Sequence, residues 1–151
     1  MHLPDEAATS GLGARLARVI EPGLSLHLHG DLGSGKTTLA RGLLRGLGYQ
    51  GRVKSPTYTL AELYTVSRLN LYHFDFYRFR DPKEWCDVGF KEYFNEASVC
   101  LVEWPEKAAG LLPAADLEIT LAFAGSGRDL SIRAGSESGK ACLHRLMQMP
   151  L

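Results

Sequence analysis

The spacing of apolar and polar residues changes several times along the chain, and each change marks an element. After Pro4-Asp5-Glu6, the residues Ala7, Ala8, Leu12, Leu16, Val19 and Ile20 recur at helical intervals, which predicts a helix closed by Pro22-Gly23. Residues 24–29 alternate apolar and polar and read as a strand. Helical spacing returns over residues 38–44 and ends near Gly46 to Gly48. Residues 53–60 read as a loop entering a strand, with Ser55 held extended by Pro56. Two β-like runs, 60–66 and 69–76, follow as a hairpin about Ser67-Arg68. Asp81 and Pro82 predict the cap and first position of a short helix, and a second short helix runs through Phe90, Tyr93 and Phe94.

Residues 98–103 are of another kind. Ser98-Val99-Cys100-Leu101-Val102-Glu103 is nearly continuously apolar, the pattern of a strand covered on both faces of an α/β sheet. Trp104-Pro105 ends it, and a short helix or turn spans 106–112. Residues 116–124 and 128–134 alternate around Gly125-Ser126-Gly127 as a hairpin, and 138–148 predict a last helix. Strands and helices in this order predict an α/β fold. At 151 residues, one domain spanning 1–151 is the expectation.

The junction of the first strand and the second helix carries the chemistry. Gly30-Asp31-Leu32-Gly33-Ser34-Gly35-Lys36-Thr37 matches the phosphate-loop pattern G-x-x-x-x-G-K-[ST] in its proper strand–loop–helix setting. The glycines let backbone N–H groups reach phosphate oxygens, Lys36 brings a point charge and the Thr37 hydroxyl suits Mg²⁺. The next helix turns its positive end on the anion. A plain Gly-rich turn leaves the Lys-Thr pair unexplained.

Hydrolysis needs acids as well. Glu103 ends a buried strand, where ligands of open α/β sheets bind, although a strand-end salt bridge has the same pattern. Asp75, in His73-Phe74-Asp75-Phe76-Tyr77-Arg78, reads equally as a metal carboxylate or a structural partner of Arg78. Thr57 is a turn threonine or a hydroxyl sensing the γ-phosphate. Trp104 packs or stacks on a base, Arg128 is solvated or reaches a phosphate, and Thr9 is an exposed helix residue by pattern. His27 and His29 share one strand face but lack a third ligand at sequence spacing.

Composition adds limits. Charge sums to zero from 17 basic and 17 acidic residues, which disfavours a strongly basic nucleic-acid binder. Cys86, Cys100 and Cys142 are odd in number without C-x-x-C spacing, which disfavours a disulfide framework or zinc ribbon and suits a reducing compartment. No apolar leader or membrane-length run is present in the sequence, so the cytoplasm is expected.

Four segments together resemble one family: the phosphate loop with Thr38, then Ser55-Pro56-Thr57-Tyr58-Thr59-Leu60, then residues 73–78, then Val102-Glu103-Trp104-Pro105. They are similar to TsaE (also called YjeE), ATPases of tRNA threonylcarbamoyladenosine synthesis. The resemblance implies a P-loop NTPase fold, three-layer αβα with a mixed, centrally parallel sheet, together with ATP and Mg²⁺, slow hydrolysis, and action with TsaB and TsaD, through which tRNA is reached. It implies that Gly33, Ser34, Gly35, Lys36, Thr37 and Thr38 hold phosphates. It further implies that Thr37, Asp75 and Glu103 serve the metal, that Thr57 is switch-like, and that Thr9, Trp104 and Arg128 lie near the nucleotide. The family's Asp-Pro-x-Glu helix continues with leucine, whereas this chain reads Glu84-Trp85-Cys86. A small-molecule kinase and a nucleotide-gated binding module remain as other readings of a phosphate loop; the kinase lacks an evident Arg-rich lid.

Overall fold

The computed structural model describes residues 1–66 and 69–150, so the predicted hairpin link at 67 and 68 lies outside the described residues. Among the described residues seven strands form one sheet: β1 (His2–Leu3), β2 (Ser25–His29), β3 (Ala61–Val66), β4 (Leu69–Asp75), β5 (Ser98–Glu103), β6 (Leu117–Ala124) and β7 (Gly127–Ala134). Their order is β1-β7-β6-β2-β5-β4-β3. The centre is parallel, with β2 between β6 and β5, and β5 beside β4. The outer pairs are antiparallel.

Alternation along the strands sorts side chains to two faces. Leu26 and Leu28, Val99 and Leu101, and Leu117, Ile119 and Leu121 join the core beneath α1 (Glu6–Ala17), α2 (Lys36–Gly46) and α4 (Glu137–Met147). Phe74, Cys100 and Val102 face the other way, into an aromatic cluster with Phe76, Phe79 and Trp85, the last on α3 (Glu84–Asp87). All six residues of β5 are buried, as a strand covered on both faces requires. The result is a mixed sheet between two helical layers.

Asp5 caps α1 by accepting from the amide of Ala8 at 2.8 Å, and Glu6 follows in the first turn. The helices α1 and α2 touch through backbone. A Cβ on Gly13 would stand 2.6 Å from the Leu43 amide nitrogen, and one on Gly42 would stand 2.8 Å from Cα of Ser10. Only glycine fits either place.

One helix start shifts by two residues. Asp81 caps a turn rather than the helix: its carboxylate accepts from Lys83 N–H at 2.9 Å, and α3 begins at Glu84. The stretch after Trp104 is a short 3-10 turn, Pro105–Ala108, and another occupies Phe90–Tyr93. The two-residue strand β1 was not expected; it pairs Leu3 with Arg128 of β7. Cys100 and Cys142 are buried, and burial pushes the Cys100 thiol up to about 12, so it is an inert core residue.

Candidate functional site

The carboxyl ends of β2, β4 and β5 converge on the loop between β2 and α2. Gly35 precedes α2 with φ +106°, a left-handed conformation that L side chains rarely adopt. This turn places Lys36 at the start of α2, where its Nζ donates to the Gly30 carbonyl and lies 3.8 Å from the centre of the Trp104 ring. Lys36 is buried, and burial lowers the ammonium's value; Glu103, Glu106, Asp75 and Asp31 oppose that shift.

Register brings the two acids together. Asp75 and Glu103 are paired positions on the parallel strands β4 and β5. Both are buried, at 4% and 3% exposure. Glu103 Oε2 lies 2.6 Å from Nε2 of the fully buried His73, two residues before Asp75 on β4. Asp75 accepts from Tyr77 N–H at 2.9 Å and from the Thr57 hydroxyl at 3.1 Å, and Thr57 shares a 2.9 Å hydrogen bond with Ser55. Burial raises the Asp75 carboxyl, and the nearby Glu103 raises it further against the two hydrogen bonds. Asp75 therefore does not take Arg78 as its partner; that guanidinium lies over Tyr58, 4.7 Å from the ring centre.

These groups line a cavity of about 200 Å³ that includes Ser34, Gly35, Lys36, Thr37, Thr57, Asp75, Glu103 and Trp104. A second hollow of about 290 Å³ lies across the loop, between Thr9, Gly33, Thr38 and Arg128. Thr9 is 3% exposed, so it is not a solvated helix residue; its hydroxyl donates to Asp5 carbonyl at 3.4 Å. Arg128 is not solvated either: it donates to the carbonyls of Ser34 and Gly33, each at 3.0 Å. Trp104 is half-buried with φ +58° at the end of β5, where it roofs Lys36.

The family model for "Threonylcarbamoyl adenosine biosynthesis protein TsaE" matches residues 3–130. The chain belongs to the TsaE family. It is 43% identical over 144 residues to the tRNA threonylcarbamoyladenosine biosynthesis protein TsaE of Haemophilus influenzae, covering 92% of this chain and 91% of the relative. The Bacillus subtilis TsaE is 43% identical over 122 residues, covering 81% and 75%. A crystal structure of B. subtilis YdiB superimposes with a TM-score of 0.86 at 32% identity, over 98% of this chain and 93% of the other. The P-loop αβα architecture is thus that of a TsaE-like structure. The family match ends before the end of β7, so α4 lies beyond it.

Sequence reasoning missed two contributors in this TsaE-family chain. His73 was inside a quoted motif, yet only the β4–β5 register sets its ring on Glu103. Ser55 reaches the site because the loop before Pro56 folds back over Asp75. The signal for His73 was its i, i+2 spacing to Asp75, which puts both on one strand face.

Proposed function

We infer that this TsaE-family chain is an ATP-binding, Mg²⁺-dependent weak ATPase whose 151 residues act as one domain. It works in the cytoplasm with TsaB- and TsaD-type proteins in the machinery that installs threonylcarbamoyl on the adenosine beside the tRNA anticodon, and meets tRNA only through them. Family membership supports the pathway. The activity rests on one observation: Lys36, Thr37, Asp75 and Glu103 line a single cavity at the mouth of a phosphate loop. Among the described residues no helix is long and apolar enough to cross a membrane.

The donor set fits the ligand. Ser34 Oγ is buried without a hydrogen-bond partner in the middle of the loop, and the hydroxyl of Thr37 with the carboxylates of Asp75 and Glu103 offers the hard oxygens Mg²⁺ prefers. Bound Mg²⁺ supplies charge neutralisation at the β and γ phosphates.

The chain's residues have distinct parts. Backbone N–H groups of Gly33, Gly35 and Thr38 hold phosphate oxygens at the head of α2, with Ser34 set between them by its own N–H on the Asp31 carbonyl. Lys36 exchanges the Gly30 carbonyl for phosphate charge, kept dry by Trp104. Asp75 and Glu103 orient the metal from β4 and β5, Glu103 being fixed by His73. Thr57, already on Asp75, carries the state of the γ position to its loop. Thr9 and Arg128 bound the hollow that takes the nucleoside side. The test is to mix the purified chain with TsaB and TsaD from the same source and follow complex formation and ATP turnover together. Mg²⁺-dependent turnover with complex formation is expected; the lack of both nucleotide uptake and turnover with both partners present overturns the reading.

A further inference from the structure

The sheet face turned away from α1 and α2 carries a second cluster that the phosphate-loop cavity does not use. His27 and His29 stand two residues apart on β2 and so project to one face. Strand β6 runs parallel beside them with Glu118 opposite His27. This supplies the third ligand that sequence spacing lacked. Glu118 Oε1 lies 3.6 Å from His27 Nδ1 and 3.6 Å from His29 Nε2. One donor atom from each of the three residues falls within 4.8 Å of the others.

We propose that His27, His29 and Glu118 bind a borderline divalent transition-metal ion of the zinc class, with the fourth position open to the adjoining cavity. Zinc bonds of roughly 2.1 Å in tetrahedral array separate neighbouring ligand atoms by about 3.4 Å, close to the two spacings seen. An ordinary hydrogen-bonded cluster does not account for the geometry, since 3.6 Å is too long for such a bond. Nε2 of His29, the nitrogen nearest Glu118, is buried without a partner, and His27 is only 7% exposed.

The other carboxylate oxygen of Glu118 accepts from Arg133 at 2.7 Å, which fixes the carboxylate and leaves Oε1 toward the imidazoles. Arg133 is 81% exposed, so solvent weakens its repulsion of a cation. The cavity beside the cluster measures about 410 Å³ and is bounded by Glu106 and Pro113, room for a water in the fourth position. Two imidazoles and one carboxylate suit zinc, cobalt or nickel, and not Mg²⁺ or Ca²⁺. The site is separate from the nucleotide reading, and either can fail alone.

The full chain, stripped with a chelator and kept in excess Mg²⁺ without nucleotide, is titrated with Zn²⁺ by calorimetry and with Co²⁺ by visible absorption. One equivalent is expected, with the intense absorption of four-coordinate Co²⁺. His29→Gln and Glu118→Gln are expected to weaken uptake about tenfold or more, whereas His144→Gln on exposed α4 does not. Circular dichroism establishes that each variant is folded. No uptake, or equal uptake by folded His29→Gln, Glu118→Gln and the parent chain, overturns the proposal.

Discussion

Replacing glycine by alanine at two positions on one helix is expected to change stability in opposite directions. Gly11 and Gly13 both lie inside α1. Alanine gains about 1 kcal/mol over glycine at either position from helix propensity alone. Nothing lies within 4 Å of a Cβ built on Gly11. A Cβ on Gly13 meets the backbone of α2, with Leu43 N at 2.6 Å and Gly42 C at 2.9 Å, besides the Leu39 carbonyl. Contact at about 3.5 Å is the normal optimum, so α1 and α2 must part by about 1 Å. Such overpacking costs roughly 1–3 kcal/mol, and backbone atoms cannot rotate away as a side chain can. Because the propensity gain is common to both variants, their difference isolates the steric cost. Gly11→Ala is expected to raise Tm by about 2–4 °C, and Gly13→Ala to melt several degrees below it, on the order of 2–12 °C. Urea midpoints read with unchanged slopes give the same comparison. Equal midpoints for the two variants would refute the claim that these helices meet backbone to backbone.

Lys36→Ala and Glu103→Ala are expected to abolish Mg²⁺-dependent ATP turnover while the far-ultraviolet dichroism stays that of the parent; unchanged turnover in the Glu103 variant removes that residue from the reaction. Asp75→Asn is expected to lose turnover yet resist urea better at pH 7. Its carboxyl is raised by burial, so the stability it provides is complete below the ordinary carboxylate range and lost as pH rises through the higher folded value. An Asp75→Asn midpoint at or below that of the parent would contradict this. His27 gives the reverse slope, being lowered by burial from 6.5 to about 4 against the opposing pull of Glu118, Asp116 and Glu106, with His29 adding to the lowering. Its contribution is complete above pH 6.5 and lost toward pH 4, up to about 3 kcal/mol. In metal-free protein, His27→Gln is expected to flatten the fall in urea midpoint over that range.

What the sequence made legible was local. The phosphate loop could be read because Gly35, Lys36 and Thr37 sit where a strand gives way to a helix, and Glu103 because it ends an unbroken apolar run. What escaped depended on register between strands distant in sequence. His73 reaches Glu103 across β4 and β5, and Glu118 reaches His27 across β6 and β2; no periodicity within one segment holds either fact. Thr9 and Arg128 read as solvent-facing because their own segments are polar. One is covered at the loop end of α1, and the other folds back onto loop carbonyls. Asp81 misplaced a helix start by two residues because an aspartate caps a lone turn as readily as a helix. Two residues of β1 are too few to show any alternation.

The guanidinium of Arg128 holds the carbonyls of Gly33 and Ser34, while Ser34 N–H is bonded to the Asp31 carbonyl, so the curve of the glycine loop is pinned by the fold itself. Ordering that loop is then settled when the chain folds, so on the proposed function an arriving anion would meet a loop already shaped. It also makes the tip of the β6–β7 hairpin a remote handle on the glycine loop: pulling there strains that loop through a single side chain, with no intervening helix to absorb the motion.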